Sequence, residues 1–256
     1  MLPYFEAPSF EIAGFTLTAF RLLVLLAVAI QFEVTVRRAP RFGIASDTAT
    51  SLVGWSVVLG LISAHVLDVV MYYPERLIAD PLELFRTWGS LSSTGGMLGG
   101  VAGLWVVARI KRLDGPQFLG FMDVLHFALP FTLATGRLGC ALQHDHLGLR
   151  SDHFLAVAFP DGPRFDLGLL EFLWVAAIAI GFLLLDRKPR AVGFWVAAFF
   201  AAYGPARILM DMLRTDDARY FGATPAQYLM AVATLAAVTW LIRNTSNRPE
   251  ASDAQV

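Results

Sequence analysis

Apolar residues gather along the chain into seven long blocks separated by short polar segments. The blocks run approximately from Thr18 to Val36, Ala49 to Met71, Leu91 to Ile110, Phe118 to Thr135, Leu167 to Leu185, Val192 to Met212 and Pro225 to Ile242. A run of about 18 apolar residues makes roughly 30 Å of helix, enough to cross the hydrocarbon core of a bilayer. The pattern predicts an all-α, polytopic membrane protein with about seven transmembrane helices. Two blocks are interrupted: the fourth by Asp123, His126 and Pro130, the sixth by the stretch from Tyr203 to Arg207. Polar side chains inside a span are costly, and each asks for a functional reading.

Composition agrees. The 256 residues are 56% hydrophobic and 16% charged, with a mean hydropathy of +0.58, where soluble domains carry about 25% charged residues. A soluble core cannot hide that much apolar surface, whereas a lipid-facing exterior can. The net charge of -1 provides no domain-wide basic field and excludes nucleic acid as a partner. The single cysteine, Cys140, excludes an intramolecular disulfide framework and a Cys-rich metal site.

With seven spans, one set of loops collects Arg37, Arg38 and Arg41, then Arg109, Lys111 and Arg112, then Arg187, Lys188 and Arg190, then Arg243 and Arg248. Positive residues mark the cytoplasmic side, so the N-terminus is expected outside and the C-terminus inside. The opposite loops are acid-rich, with Asp145, Asp166, Asp216 and Asp217 among others. Met1 to Phe15 lacks the basic start of a signal peptide, so the first span reads as a retained anchor. Residues 1–242 are expected to form a single integral-membrane domain and 243–256 a disordered cytoplasmic tail. There is no internal repeat, which argues against a transporter.

Several clusters could carry chemistry. Ser92-Ser-Thr-Gly-Gly-Met-Leu-Gly-Gly100 opens the third span with overlapping small-xxx-small pairs. It fits close helix packing, or a phosphate held on the backbone N–H groups of a helix start with hydroxyl help from Thr94. The segment Gly136-Arg-Leu-Gly-Cys-Ala-Leu-Gln-His-Asp-His-Leu-Gly148 follows a helix that Pro130 is expected to disturb. Arg137 there could fork onto a lipid phosphate or merely snorkel to the interface. Arg207 lies within an apolar block, where a cation needs a partner: Asp211, four residues on, or an anionic ligand. His144-Asp-His146 reads as a hydrogen-bonded interfacial cluster, or with His65 and His153 as a metal site, although His-x-His alone is weak evidence for zinc. His65 and Asp68 share a helix face and could pair, or could accept a proton. Cys140 reads as a small buried residue rather than a nucleophile. No Gly-x-Ser-x-Gly elbow, Walker A motif or His-Glu-x-x-His is present.

In order and spacing, these pieces resemble the prolipoprotein diacylglyceryl transferases of bacterial inner membranes, over nearly the whole chain. The resemblance is carried by Ala79-Asp-Pro-Leu-Glu-Leu-Phe-Arg-Thr-Trp88 before Ser92-Ser-Thr-Gly-Gly96 and by Gly136-Arg-Leu-Gly139 with Gly148. It continues in Tyr203-Gly-Pro-Ala-Arg207 with Asp211 and Arg214, and in Thr224-Pro-Ala-Gln227. It implies transfer of the diacylglyceryl group of phosphatidylglycerol to the thiol of a lipobox cysteine in a precursor lipoprotein, releasing glycerol 1-phosphate with no cofactor and no metal. By the same resemblance Arg137 and Arg207 hold the phosphate, and the substrate-binding set is Thr94, Gly95, Gly96, Gly136, Gly139, Tyr203, Gly204, Asp211 and Arg214.

The chain also departs from the family. Thr94 stands where the family has a His, Cys140 where it has Asn, and Phe20 where it has a Tyr in the first span. Asp145 matches an acidic position, the family's His-Pro-Ser-Gln stretch is missing, and Glu171 corresponds to the acid that follows it. Two explanations fit. His65, His144 or His146 has taken over as base, with Asp145 beside it; or the chain is a paralogue that binds anionic phospholipid with altered or no catalysis. The first is preferred, because His144-Asp145-His146 directly follows the Arg137 element. A His-based metal-dependent membrane protein is the remaining alternative.

Overall fold

The computed structural model describes residues 1–7, 9–12, 15–85, 92–215 and 219–246, and it is mostly helical. Among the described residues there are eight α-helices: α1 Ala19–Arg38, α2 Ser46–Tyr72, α3 Pro74–Ala79, α4 Ser93–Ile110, α5 Gly115–Gln143, α6 Leu167–Leu185, α7 Phe194–Met212 and α8 Pro225–Ser246. Among the described residues, five segments are long and apolar enough to cross a membrane: Ala19–Phe42, Ser46–Met71, Gly115–Gln143, Leu167–Leu185 and Pro225–Asn244. Their apolar side chains face outward, as at Leu25, Leu61, Ile180 and Leu235, which suits a lipid exterior.

Several expectations are corrected. The fold is not purely helical. Strands β1 Leu2–Pro3, β4 Leu147–Arg150, β5 Val157–Phe159 and β6 Gly162–Asp166 form one sheet in the order β1-β5-β6-β4, and β2 Ser9–Ile12 pairs with β3 Phe15–Thr18. At two to five residues each, these strands leave no long apolar run in the sequence. Pro130 does not break α5, which runs through it to Gln143, so Gly136, Arg137, Gly139 and Cys140 sit on its last turns rather than in a loop. Pro205 is likewise inside a continuous α7. Helix α8 continues to Ser246, so the segment expected to be a disordered tail begins as helix. His65 meets the main-chain oxygen of Glu83 through Nε2, at 3.3 Å. Arg86, Thr87, Trp88, Leu91, Asp216, Asp217 and the tail from 247 onward lie outside the described residues, as does the side chain of Thr94.

The chain forms two compact units. The unit from Phe32 to Phe121 is built on α2 and α4. A Cβ added at Gly99 would lie 2.3 Å from Ser63 Cβ, and one at Gly95 2.5 Å from the Ser63 oxygen, so the glycine stretch is a close-packing surface. The backbone N–H of Gly95 is taken by Ser92 Oγ and that of Gly96 by the Ser92 oxygen.

The other unit comprises Met1–Gln31 and Met122–Val256. Its helices are capped by side chains that satisfy free N–H groups at the helix starts. Asp123 on α5, 1% exposed, accepts hydrogen bonds from Trp195 and Val196 N–H at the start of α7, which accounts structurally for that intramembrane acid. Asp166, the last residue of β6, accepts from Leu169 N–H and starts α6. Thr224-Pro-Ala-Gln227 is a reciprocal capping box: Gln227 N–H donates to Thr224 Oγ1, and Thr224 N–H to Gln227 Oε1.

Candidate active site

Three helix segments of this unit bring charged side chains together. On α7, Tyr203, Arg207 and Asp211 recur every fourth residue and so share one face. On α5, Arg137 lies in the last two turns. On α6, Glu171 lies in the first turn or so after the Asp166 cap. Close approach positions α6: a Cβ on Gly168 would come within 3.0 Å of Cys140 and Ala141 on α5, and Glu171 follows one turn later.

Glu171 is the centre of the cluster. It is 1% exposed. Its Oε1 lies 3.1 Å from Arg137 Nε and accepts from the Tyr203 hydroxyl at 2.5 Å, and its Oε2 lies 3.5 Å from Arg207 Nη1. Arg207 Nη2 reaches Asp211 Oδ1 at 3.0 Å, and Arg214 Nε approaches the same oxygen at 3.4 Å. Thr224 donates its hydroxyl to Asp211 Oδ2 at 2.8 Å. Burying a lone ion costs several kcal/mol, so these carboxylates and guanidinium groups sustain one another. The carboxylates are sealed, at 0–1% side-chain exposure, while Arg137, Arg207 and Arg214 keep 14–20% open. What remains accessible in the cluster is therefore arginine side chain rather than carboxylate.

The sheet holds the histidine segment beside this cluster. Leu149 N–H donates to the Leu213 oxygen, Gly148 bridges to Arg214, and Leu167 N–H donates to the His146 oxygen. His146 Nδ1 bonds Asp145 Oδ1, and its Nε2 lies 3.5 Å from Arg137 Nη1. The Asp145 hydrogen bond chiefly, with Cys140 adding to it, pushes the His146 pKa up to about 9 against the lowering effect of burial. Cys140 Sγ, an Asp145 oxygen and a His146 nitrogen lie within 4.8 Å of one another, donors of the kind that hold a metal ion. The guanidinium of Arg137 already faces that group, 3.9 Å from the sulfur.

His144 is placed differently. Its Nδ1 bonds Asp166 Oδ2 at 2.6 Å, and the rings of Tyr4, Phe5 and Phe159 pack around it with centroids 5.0–5.3 Å away. It ties the N-terminal segment and the sheet to the start of α6. Gly139 faces Phe20 on α1, and Gly204 faces Thr234 on α8, where an added Cβ would stand 2.0 Å from Thr234 Oγ1. Nothing lies within 4 Å of a Cβ added at Gly136. His65, Gly95 and Gly96, with Thr94, belong to the other unit.

Arg137, Arg207, Tyr203, Asp211, Arg214, Asp145 and His146 are thus gathered by the fold. Sequence reasoning reached Glu171 only through the resemblance and missed Asp166 and Thr224 as partners. One signal was available for Glu171: it is the only charged residue inside an otherwise apolar 19-residue helix.

A family model, "Prolipoprotein diacylglyceryl transferase", matches residues 8–243. The chain belongs to that family. Among its relatives, the phosphatidylglycerol–prolipoprotein diacylglyceryl transferase of Actinobacillus pleuropneumoniae is 31% identical, covering 84% of this chain and 83% of that protein. The protein of the same name from Pseudoalteromonas atlantica is 27% identical over 94% of this chain and 91% of its own length. The one from Pseudomonas paraeruginosa is 27% identical over 98% of both chains. The family match runs across Arg137, Glu171 and Arg207.

Proposed function

We propose that this protein transfers the diacylglyceryl group of phosphatidylglycerol to the thiol of a lipobox cysteine in a precursor lipoprotein, at the outer leaflet of the bacterial inner membrane. The observation that carries the reading is the meeting of Arg137 and Arg207 on the two oxygens of Glu171, with both arginine side chains keeping partial exposure. Guanidinium groups fixed in this way are preorganised donors for a phosphate whose charge grows as it leaves. The substrate thiol loses its proton and its sulfur attacks the glyceryl carbon that bears the phosphate. The carbon–oxygen bond breaks and glycerol 1-phosphate departs. Asp211 holds Arg207, and Tyr203 and Arg214 in turn hold the carboxylates of Glu171 and Asp211. Gly139 and Gly204 let neighbouring helices pack closely, and the open space beside Gly136 leaves room for the headgroup.

The Asp145–His146 pair beside Arg137 handles the proton. With a pKa of about 9, His146 is neutral in only about one molecule in a hundred at pH 7, but in that form it is a strong base. The nucleophile belongs to the substrate, so Cys140 need not react. His144 serves the architecture through Asp166 in this reading.

The same reading places seven spans in the bilayer, α1, α2 and α4 to α8, with the N-terminus outside and the arginine-rich loops in the cytoplasm. Residues 1–242 make up the integral-membrane domain and 243–256 the cytoplasmic tail. The test is a mass measurement of a lipobox peptide incubated with the purified protein and phosphatidylglycerol. A diacylglyceryl mass gain supports transfer; lipid retention with an unmodified peptide identifies a binding paralogue instead.

A further inference from the structure

We propose that the free-standing edge of strand β5 is a docking strand for an extended segment of the precursor polypeptide, and that the chain's own residues Leu2 to Phe5 occupy it as a displaceable strap. The proposal rests on the transferase reading for the identity of the partner, and on the sheet for its content. Strand β1 is two residues long and pairs parallel with β5, Leu2 opposite Val157 and Pro3 opposite Ala158. Leu2 N–H donates to the Ala156 oxygen at 2.8 Å. Just beyond the pair, Tyr4 and Phe5 pack their rings on His144, with centroids 5.1 and 5.0 Å away, and Phe159 at the end of β5 meets the same imidazole at 5.3 Å. The other neighbour of β5 is β6, so departure of β1 opens one ladder edge. Open ladder edges take extended peptides through main-chain hydrogen bonds.

The strap fills this place incompletely. The His144 side chain is 8% exposed and Asp166 holds its Nδ1 at 2.6 Å, yet Nε2 is buried without a hydrogen-bond partner among the described residues. A buried polar atom left unpaired costs free energy, and an incoming segment that brings a polar group to Nε2 recovers it. The His144 backbone is left-handed, with φ +52°, a conformation uncommon outside glycine and one that recurs at ligand clamps. Little apolar burial holds the strap down: Met1 is 63% and Phe5 46% exposed, and Pro3 is exposed as well. The place also adjoins the reacting cluster along the chain, since His144 stands two residues before His146 and Asp166 starts the helix that carries Glu171. A ladder fixes register, which a cysteine that must be delivered to the phosphate beside Arg137 requires.

The test uses the full chain in detergent micelles containing phosphatidylglycerol. Its probe is a fluorescent peptide of the lipobox region with serine in place of the cysteine, so that binding is read without transfer. Pro3→Cys with Ala158→Cys puts two thiols on paired, exposed positions, and oxidation pins the strap to β5. A pinned strap leaves little of the protein competent to bind, so peptide affinity should fall by about tenfold or more and return on reduction. Tyr4→Ala with Phe5→Ala loosens the strap and should tighten binding by about fivefold; weaker binding there overturns the proposal. An oxidised variant that binds within about twofold of its reduced form overturns it too. If the disulfide fails to form, hydrogen exchange at the Leu2 amide decides: added peptide should quicken it in the wild type, and unchanged protection refutes the strap. The peptide mass assay with the cysteine restored separates the two claims. Transfer with the strap undisturbed removes only the docking strand, and strap displacement without a mass gain removes only the enzymatic reading.

Discussion

Arg137 Nε lies 3.1 Å from Glu171 Oε1, tying the end of α5 to the start of α6 across 34 positions of sequence. Glu171 also takes the Tyr203 hydroxyl and faces Arg207, so one buried carboxylate organises side chains from three helices. Glu171→Ala leaves those guanidinium groups without their shared anion. Loss of one partner from a buried pair costs about 3–5 kcal/mol, and the thermal midpoint in detergent should fall clearly below that of the wild type, in Glu171→Gln as well, since it too removes the charge. A Glu171→Gln midpoint equal to that of the wild type would show that the carboxylate position bears no structural charge burden.

Arg207 spans Glu171 and Asp211 with its two terminal nitrogens, Nη1 and Nη2. Lysine, a point charge on a flexible stem, cannot hold both. Arg207→Lys should therefore lose diacylglyceryl transfer almost as completely as Arg207→Ala, by about a hundredfold or more in turnover, at equal membrane abundance. Lysine activity close to wild type would mean that positive charge alone suffices.

The pH behaviour follows from His146. Its pKa stands raised at about 9, above the unfolded value of 6.5, so the stability it contributes is fully present below pH 6.5 and fades as pH rises through 9. Thermal melts should decline between those limits, and Asp145→Asn should flatten the decline by removing the main cause of the shift. Turnover runs the other way. If the neutral imidazole takes the substrate proton, the rate rises toward pH 9, and Asp145→Asn moves the rise to lower pH. A rate profile that Asp145→Asn leaves in place excludes His146 from proton transfer.

Gly204 permits α7 and α8 to touch. A Cβ there meets Thr234 Oγ1 at 2.0 Å, and overpacking of this kind costs about 1–3 kcal/mol. Gly204→Ala should lower the thermal midpoint, and adding Thr234→Ala should restore much of it. Purely additive losses in the double variant would place the strain elsewhere.

The sequence by itself determined the membrane class, the positions of the long helices, and the residues of greatest interest on α5 and α7. Those features are local: a long apolar run has few alternatives to a bilayer helix, and a cation within one needs a partner wherever it lies. It also carried the family's spacing from Gly136 to Gln227. What it could not convey was which charge meets which. Arg207 had a visible partner four residues along its own helix, yet its second anion comes from α6, set by the close approach at Gly168 that no periodicity records. The short strands were equally hidden, because two to five residues leave no hydrophobic pattern, and they alone bring His146 back to Arg137 and divide His144 from it. Helix identity is written in consecutive residues, whereas the balance of charge in the site is decided by packing between segments distant in the chain.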